Sequence, residues 1–186
     1  MQTILPKTIT HPLIGDTVTF LKTAVETNGA YTLVEVVLLP GGGNDAHYHV
    51  NYSEAFEVLE GTLSVQYGKT EYDLNPGDTV TVPPKVVHRF FNRSNERPVR
   101  FRVTIQPARH FEATLRIAYG LAADGKTNKK GMPHIWHLAI ILQKGESYLP
   151  GLPPAIQKGI FGILARIARI KGVHRELYKY YKPDAG

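Results

Sequence analysis

Two histidines and a glutamate are set so that strand geometry brings them to one point. His47 and His49 lie two residues apart in the run PGGGNDAHYHVNYSEAFEVLEG. Side chains at i and i+2 of a strand share a face, so both imidazoles reach the same place in space. Glu54 opens the next β-rich run after Asn51, Tyr52 and Ser53 and offers a third ligand. The chain has no cysteine, which removes thiolate sites and leaves histidine and carboxylate as the ligands for a metal. Metal binding is therefore the chemistry to look for, and the other elements are those that must build, complete or shield that site.

From about residue 17 to 106 the pattern is one of short β-rich runs punctuated by turn residues. Runs at 17–26, 31–39, 54–60, 62–67, 70–74, 78–82, 87–91 and 99–105 are separated by Asn28-Gly29, Pro40 to Gly43, Gly61, Gly68-Lys69 and Asn75-Pro76-Gly77. In the last run Val99, Phe101, Val103 and Ile105 face one way and Arg100, Arg102 and Thr104 the other. Many short strands at close spacing indicate a sandwich or a barrel, and a barrel is the better reading here. After Pro107 the pattern turns helical. Helices are predicted over 111–123, 134–142, 155–171 and 174–181, the third carrying Ile156, Ile160, Ile163, Leu164, Ile167 and Ile170 along one stripe. The expected organisation is a β-barrel domain with an N-terminal arm over 1–107 and a helical extension over 108–186.

The residues of the barrel region resemble the cupin superfamily. Its first motif, G-x5-H-x-H-x4-E-x6-G, is matched by Gly41, His47, His49, Glu54 and Gly61, and its second, G-x5-P-x-G-x2-H-x3-N, by Gly77, Pro83, His88 and Asn92. Lys85 stands where the family usually has glycine, in a turn three residues before His88. The resemblance implies a mainly β fold, a cupin-type double-stranded β-helix or jelly-roll barrel, here with a C-terminal α-helical extension. It also implies that His47, His49, Glu54 and His88 hold one divalent metal ion. Strand alternation agrees, since His88 and Phe90 share a face. Three neutral nitrogens and one carboxylate suit Fe, Mn, Ni, Cu or Zn, without choosing among them, and leave positions open for a substrate.

Phe56, Val58, Val86 and Phe90 are the candidates for an apolar pocket wall around the metal. Alternation sends Tyr48 and Glu57 to the exterior. His134 and His137, three apart with no carboxylate near them in sequence, read as structural rather than as a second metal pair, and His11, His110 and His174 show no partners.

The formal charge of +6 is confined to the tail: residues 154–182 hold seven Lys or Arg and one acid, while the rest of the chain is balanced. The charge thus gives no general reason to expect nucleic-acid binding. The isoleucine stripe is expected to pack on the barrel or a partner subunit, with peripheral membrane contact through residues 155–182 as the less favoured reading. No signal-peptide pattern and no membrane-length apolar run is found, so a cytoplasmic location is expected. The leading functional reading is a metal-dependent oxidoreductase of the dioxygenase type acting on a small organic molecule, as a homodimer. No catalytic residue beyond the metal centre is assignable. The alternatives are a ligand-binding or sensory cupin that docks through its basic helical tail, and a metal-assisted isomerase or lyase.

Overall fold

The computed structural model describes residues 5–181. Lys182, the last base of the charged tail, and the first four residues of the N-terminal arm lie outside them. The chain runs through β1 (Thr8–His11), β2 (Asp16–Lys22), β3 (Thr32–Leu38), β4 (Tyr48–His49), β5 (Ser53–Glu60), β6 (Leu63–Tyr67), β7 (Thr70–Leu74), β8 (Thr79–Val82), β9 (His88–Phe91) and β10 (Val99–Gln106). There follow α1 (Phe111–Ala123), α2 (Ile135–Gly145), β11 (Ser147–Tyr148), α3 (Pro154–Ile170) and α4 (Val173–Leu177). One six-stranded antiparallel sheet has the order β1-β2-β3-β10-β5-β8, and a second has the order β7-β6-β9. This is the jelly-roll barrel, with its helices following in the chain.

β10 shows why the strands close on one core. Val99, Phe101, Val103 and Ile105 are buried together with Phe20, Val34, Leu38, Phe56, Val58, Leu63 and Val65. The alternate residues Arg100 and Arg102 reach across the ladder to Glu35, Glu57 and Glu60 on β3 and β5. On the opposite sheet Arg89 and Arg93 share Glu71. The outward arginines are thus neutralised by cross-strand partners, each pair contributing a few tenths of a kcal/mol (~0.2–1).

Two strands absent from the sequence reading appear. β1 extends the large sheet at its edge, and β11, only two residues long, pairs with β4 through Ser147↔His49 and Tyr148↔Tyr48. A two-residue strand has no periodicity to read. Its pairing is a tertiary event, fixed by where α2 ends. Around it the extension is fastened to the barrel: Tyr52 Oη donates to the Gly145 carbonyl at 3.0 Å, and Glu146 accepts from Asn51 at 2.7 Å and from Arg109 at 2.8 Å.

α1 places Tyr119, Phe111, Leu115 and Ala118 against the barrel core, and Ile117 and Leu121 with Ala139, Ile140, Ile141, Ala165, Ala168 and Leu177 in a second core between the helices. The side of α3 that packs is therefore its alanine side. The expected isoleucine stripe does not pack on the barrel: Ile156, Ile160, Ile163 and Ile170 are exposed. Amphipathicity located a stripe correctly but could not tell that small residues, which allow close helix approach, would take the inner face. His11, read as having no partner, is buried: its Nδ1 accepts from the backbone N–H of Leu13 and Ile14, and its ring meets Tyr119 edge-on. Among the described residues no helix is long and apolar enough to cross a membrane.

Lys85 occupies the position at which the family usually has glycine, and the backbone shows the reason for that preference. Val86 N–H donates to the Pro83 carbonyl, which makes Pro84 and Lys85 the central pair of a turn, and Lys85 has φ 71°. Positive φ at the third residue of a type II turn favours glycine, and a lysine there costs about 1 kcal/mol. The turn is held by Lys85 N–H donating to the His49 carbonyl at 2.6 Å. Lys85→Gly is expected to leave that bond intact and raise stability by about 0.5–1 kcal/mol. Urea denaturation would measure the change, and a loss of stability would show that the lysine side chain supplies more than the backbone strain costs.

Candidate metal centre

The four side chains singled out by spacing meet. His47, His49, Glu54 and His88 present one ligand atom each, all within 4.8 Å of one another, and they form the one such cluster among the described residues. Three different parts of the barrel deliver them: the short β4 and the residue before it, the start of β5, and the start of β9. His47 and His88 face each other in an isolated antiparallel bridge, exchanging backbone hydrogen bonds of 3.0 and 2.8 Å. Glu54, His49 and His88 are about 95% or more buried.

The hydrogen bonds on the far side of each ring fix which nitrogen points inward. His47 Nδ1 lies 2.8 Å from the Asp45 carbonyl and His88 Nδ1 lies 3.0 Å from the Val86 carbonyl. A carbonyl only accepts, so both Nδ1 atoms carry hydrogen and both Nε2 atoms turn a lone pair to the centre. His49 Nδ1 is 3.3 Å from Ser147 Oγ, whose own hydrogen goes to the Gly145 carbonyl at 3.4 Å, so the hydroxyl accepts from His49. All three imidazoles are thereby held as Nε2 ligands.

The inward atoms are packed more closely than neutral acceptors tolerate. His47 Nε2 and His49 Nε2 are 3.1 Å apart, His49 Nε2 and Glu54 Oε1 3.3 Å, and His88 Nε2 and Glu54 Oε2 3.2 Å. Lone pairs at these distances repel unless a positive charge lies among them. Ligands bound at 2.0–2.1 Å to one ion are separated by roughly 3 Å, so these three contacts have the spacing of ligands on a first-row metal, within a group whose atoms all lie within 4.8 Å of one another. In the metal-free protein protons do part of that work. Burial lowers the His88 pKa, but the hydrogen bond and charge of Glu54 outweigh it and the net shift is upward. Burial would raise the Glu54 carboxyl, yet His49 and His88 pull it well below the usual range. His47 is pushed down to about 4 by burial first and then by the neighbouring His88 and His49.

Around the ligands, Tyr52 stacks on His49 with ring centroids 4.1 Å apart and is 3% exposed. The sequence reading did not find this contact, because the bend at residues 50–52 breaks the alternation. Tyr48 does face away from His49, but it is buried rather than exterior: β11 covers it and Tyr148 stacks on it at 5.7 Å. Ser147 had no signal in the sequence, lying 98 residues from its histidine. Phe56 and Val58 lie in the barrel core, Phe90 and Val86 at its margin, and Phe56, Phe90 and Phe101 form an aromatic cluster with centroids 5.3–6.3 Å apart. Asn92 is a staple rather than a ligand, donating to the Leu38 and Arg97 carbonyls. His134 and His137 do not form a second centre: His134 caps α2 and His137 meets Glu176 of α4 at 3.0 Å.

Residues 34–105 match the family described as "Cupin domain". The germin-like protein subfamily T member 3 of Arabidopsis thaliana is 36% identical over 62 residues, covering 31% of this chain and 27% of that protein. A germin-like protein of Oryza sativa subsp. japonica is 33% identical over 96 residues, covering 46% of this chain and 43% of that protein. The chain thus spans less than half the length of these two curated relatives. The crystal structure of an RmlC-like cupin from Shewanella frigidimarina is 25% identical, covers 54% of this chain and 84% of that one, and has a TM-score of 0.47.

Two outcomes follow from the ring hydrogen bonds and the proton distribution. Ser147→Ala is expected to weaken metal affinity about tenfold with little change in fold, as measured by competition with a chromophoric chelator. Because His88 is the ring whose proton is favoured, metal affinity should fall with decreasing pH once the pH drops below its raised pKa, by up to about tenfold per unit. Calorimetry in buffers of different ionisation enthalpy would count the protons released, and a pH-independent affinity between pH 6 and 8 would refute this distribution.

Proposed function

With residues 34–105 belonging to the cupin family, we propose that the chain binds one divalent transition metal ion through His47, His49, Glu54 and His88 and with it oxidises a small organic substrate at the expense of molecular oxygen. The observation that carries the reading is the convergence of three Nε2 atoms, each with its Nδ1 hydrogen-bonded outward, and one carboxylate on one point. When bound, such an ion supplies a Lewis-acid and redox centre with coordination positions left over for substrate and oxygen.

The chain's own groups do the rest. The carbonyls of Asp45 and Val86 and the hydroxyl of Ser147 keep the rings from rotating. Tyr52, locked to the Gly145 carbonyl, covers one face of His49 and excludes water there. Burial first, and then the charge of Glu54, raises the Tyr52 pKa well above its ordinary value, so its hydroxyl stays protonated and is no general base. Beyond one another, the side-chain hydrogen-bond partner of the ligands among the described residues is Ser147 alone.

A sensory reading is favoured by one feature. β11 of the extension pairs directly with the strand that holds His49, so a change at the metal is mechanically joined to α2 and α3. Hydrogen exchange would separate the two readings: slowed exchange over residues 147–157 on adding ligand, without oxygen uptake, belongs to a sensor.

Elemental analysis of the purified protein is expected to return about one redox-active ion per chain. His88→Ala should lower metal content at least about tenfold while circular dichroism keeps its β signature. Full metal occupancy in that variant would overturn the ligand set, and zinc as the native ion would overturn the oxidative reading.

A further inference from the structure

α3 turns two of its alanines inward and four of its isoleucines out. Ala165, Ala168 and Gln157 are buried, whereas Ile156, Ile160, Ile163 and Ile170 are 51%, 47%, 64% and 79% exposed. With Ile167 these residues recur at alternating intervals of four and three, which at 3.6 residues per turn gathers them into a sector of roughly 80° along a helix about 25 Å long. The segment leading into α3 adds Leu149 and Leu152, 48% and 54% exposed. It is fixed beside the first turn by the buried Gln157, which accepts from the Leu149 N–H and donates to the Leu149 and Leu152 carbonyls at 2.8–2.9 Å. The result is a fixed apolar ridge, not a fraying end.

The charge on the helix chooses the occupant. α3 carries Lys158, Arg166 and Arg169 and no acidic residue, and Lys171 follows at its C-cap. At 100° per residue Arg166 and Lys171 lie at the two edges of the ridge, while Lys158 and Arg169 point to the other side, Arg169 donating to Gln143 Oε1 at 2.7 Å. A second copy of this chain, seated ridge to ridge, would bring Arg166 and Lys171 beside their own counterparts with no acid in either helix to offset them. An anionic bilayer supplies what the surface lacks: acyl chains for the isoleucines and negative headgroups for the flanking cations. We propose that α3 and the loop before it lie flat on an anionic lipid surface, the isoleucine ridge in the acyl boundary. The same loop reaches the metal-bearing side of the barrel, since Tyr48 Oη donates to the Leu152 carbonyl at 3.4 Å and Tyr148 belongs to β11. Docking would therefore hold the segment that covers Tyr48 and orients His49.

The test is co-sedimentation of the full chain with phosphatidylglycerol-containing vesicles and with phosphatidylcholine vesicles, at low and high salt. Binding is expected to the anionic vesicles and to weaken with salt. Ile160→Ser with Ile163→Ser should weaken it roughly tenfold at unchanged melting temperature, both side chains being solvent-exposed. Arg166→Gln with Lys171→Gln should weaken it about fivefold per charge. Failure to bind anionic vesicles at low salt, or binding that neither double variant reduces, would overturn the proposal. So would a dimer in sedimentation velocity that the isoleucine double variant dissolves, which would assign the ridge to a second copy.

Discussion

Everything in this site depends on an electrostatic conflict: three inward imidazole nitrogens and the two oxygens of Glu54 make neighbouring contacts of 3.1–3.3 Å, with the Nδ1 hydrogens of the imidazoles committed elsewhere. Left alone, such a cluster would push itself apart or take up protons. The barrel keeps it together by attaching each ring from behind to rigid backbone or to a hydroxyl that is itself tied down. It also surrounds the site with packed strands, the low dielectric of which strengthens both the repulsion and the reward for a cation. The fold thus holds a cluster prepared for a positive charge, and burial of His88 is outweighed by the hydrogen bond and charge of Glu54, which raise its pKa.

The helical extension belongs to this design. It ends α2 at Gly145, whose small size leaves room for Thr114 next to it, then turns through Glu146 in the left-handed region and lays down the two residues of β11. That turn delivers Ser147 to His49, the Gly145 carbonyl to Tyr52 and a carboxylate to Asn51 and Arg109. The metal centre therefore rests on contacts from both the barrel and the chain beyond Pro107. A chain cut after β10 would keep all four ligands and lose the partner that orients one of them.

How much of this was legible in the sequence follows from the range of each interaction. The ligands His47, His49 and Glu54 were readable because strand alternation is a local rule, and His88 because its motif has fixed spacing. Most strands were placed to within a residue or two, apart from β2, whose run was carried four residues past Lys22, and α1 was placed over its full length. Tyr52 was missed because alternation stops at a bend, and Ser147 because a two-residue strand paired 98 residues away has no local signature. The stripe of α3 was seen, but not that it would face away from the barrel. Hydrophobic periodicity reports that a helix has two faces, and the choice between them was made by how closely Ala165 and Ala168 allow α3 to approach α2.

The central claim is that three imidazoles and one carboxylate share one ion. X-ray absorption at the edge of the metal found in the purified protein tests it most directly. The expected spectrum has nitrogen and oxygen scatterers near 2.0–2.2 Å and the multiple-scattering pattern of three imidazole rings. A bound ion with one ring or none, or a protein that acquires no first-row metal, would contradict the account.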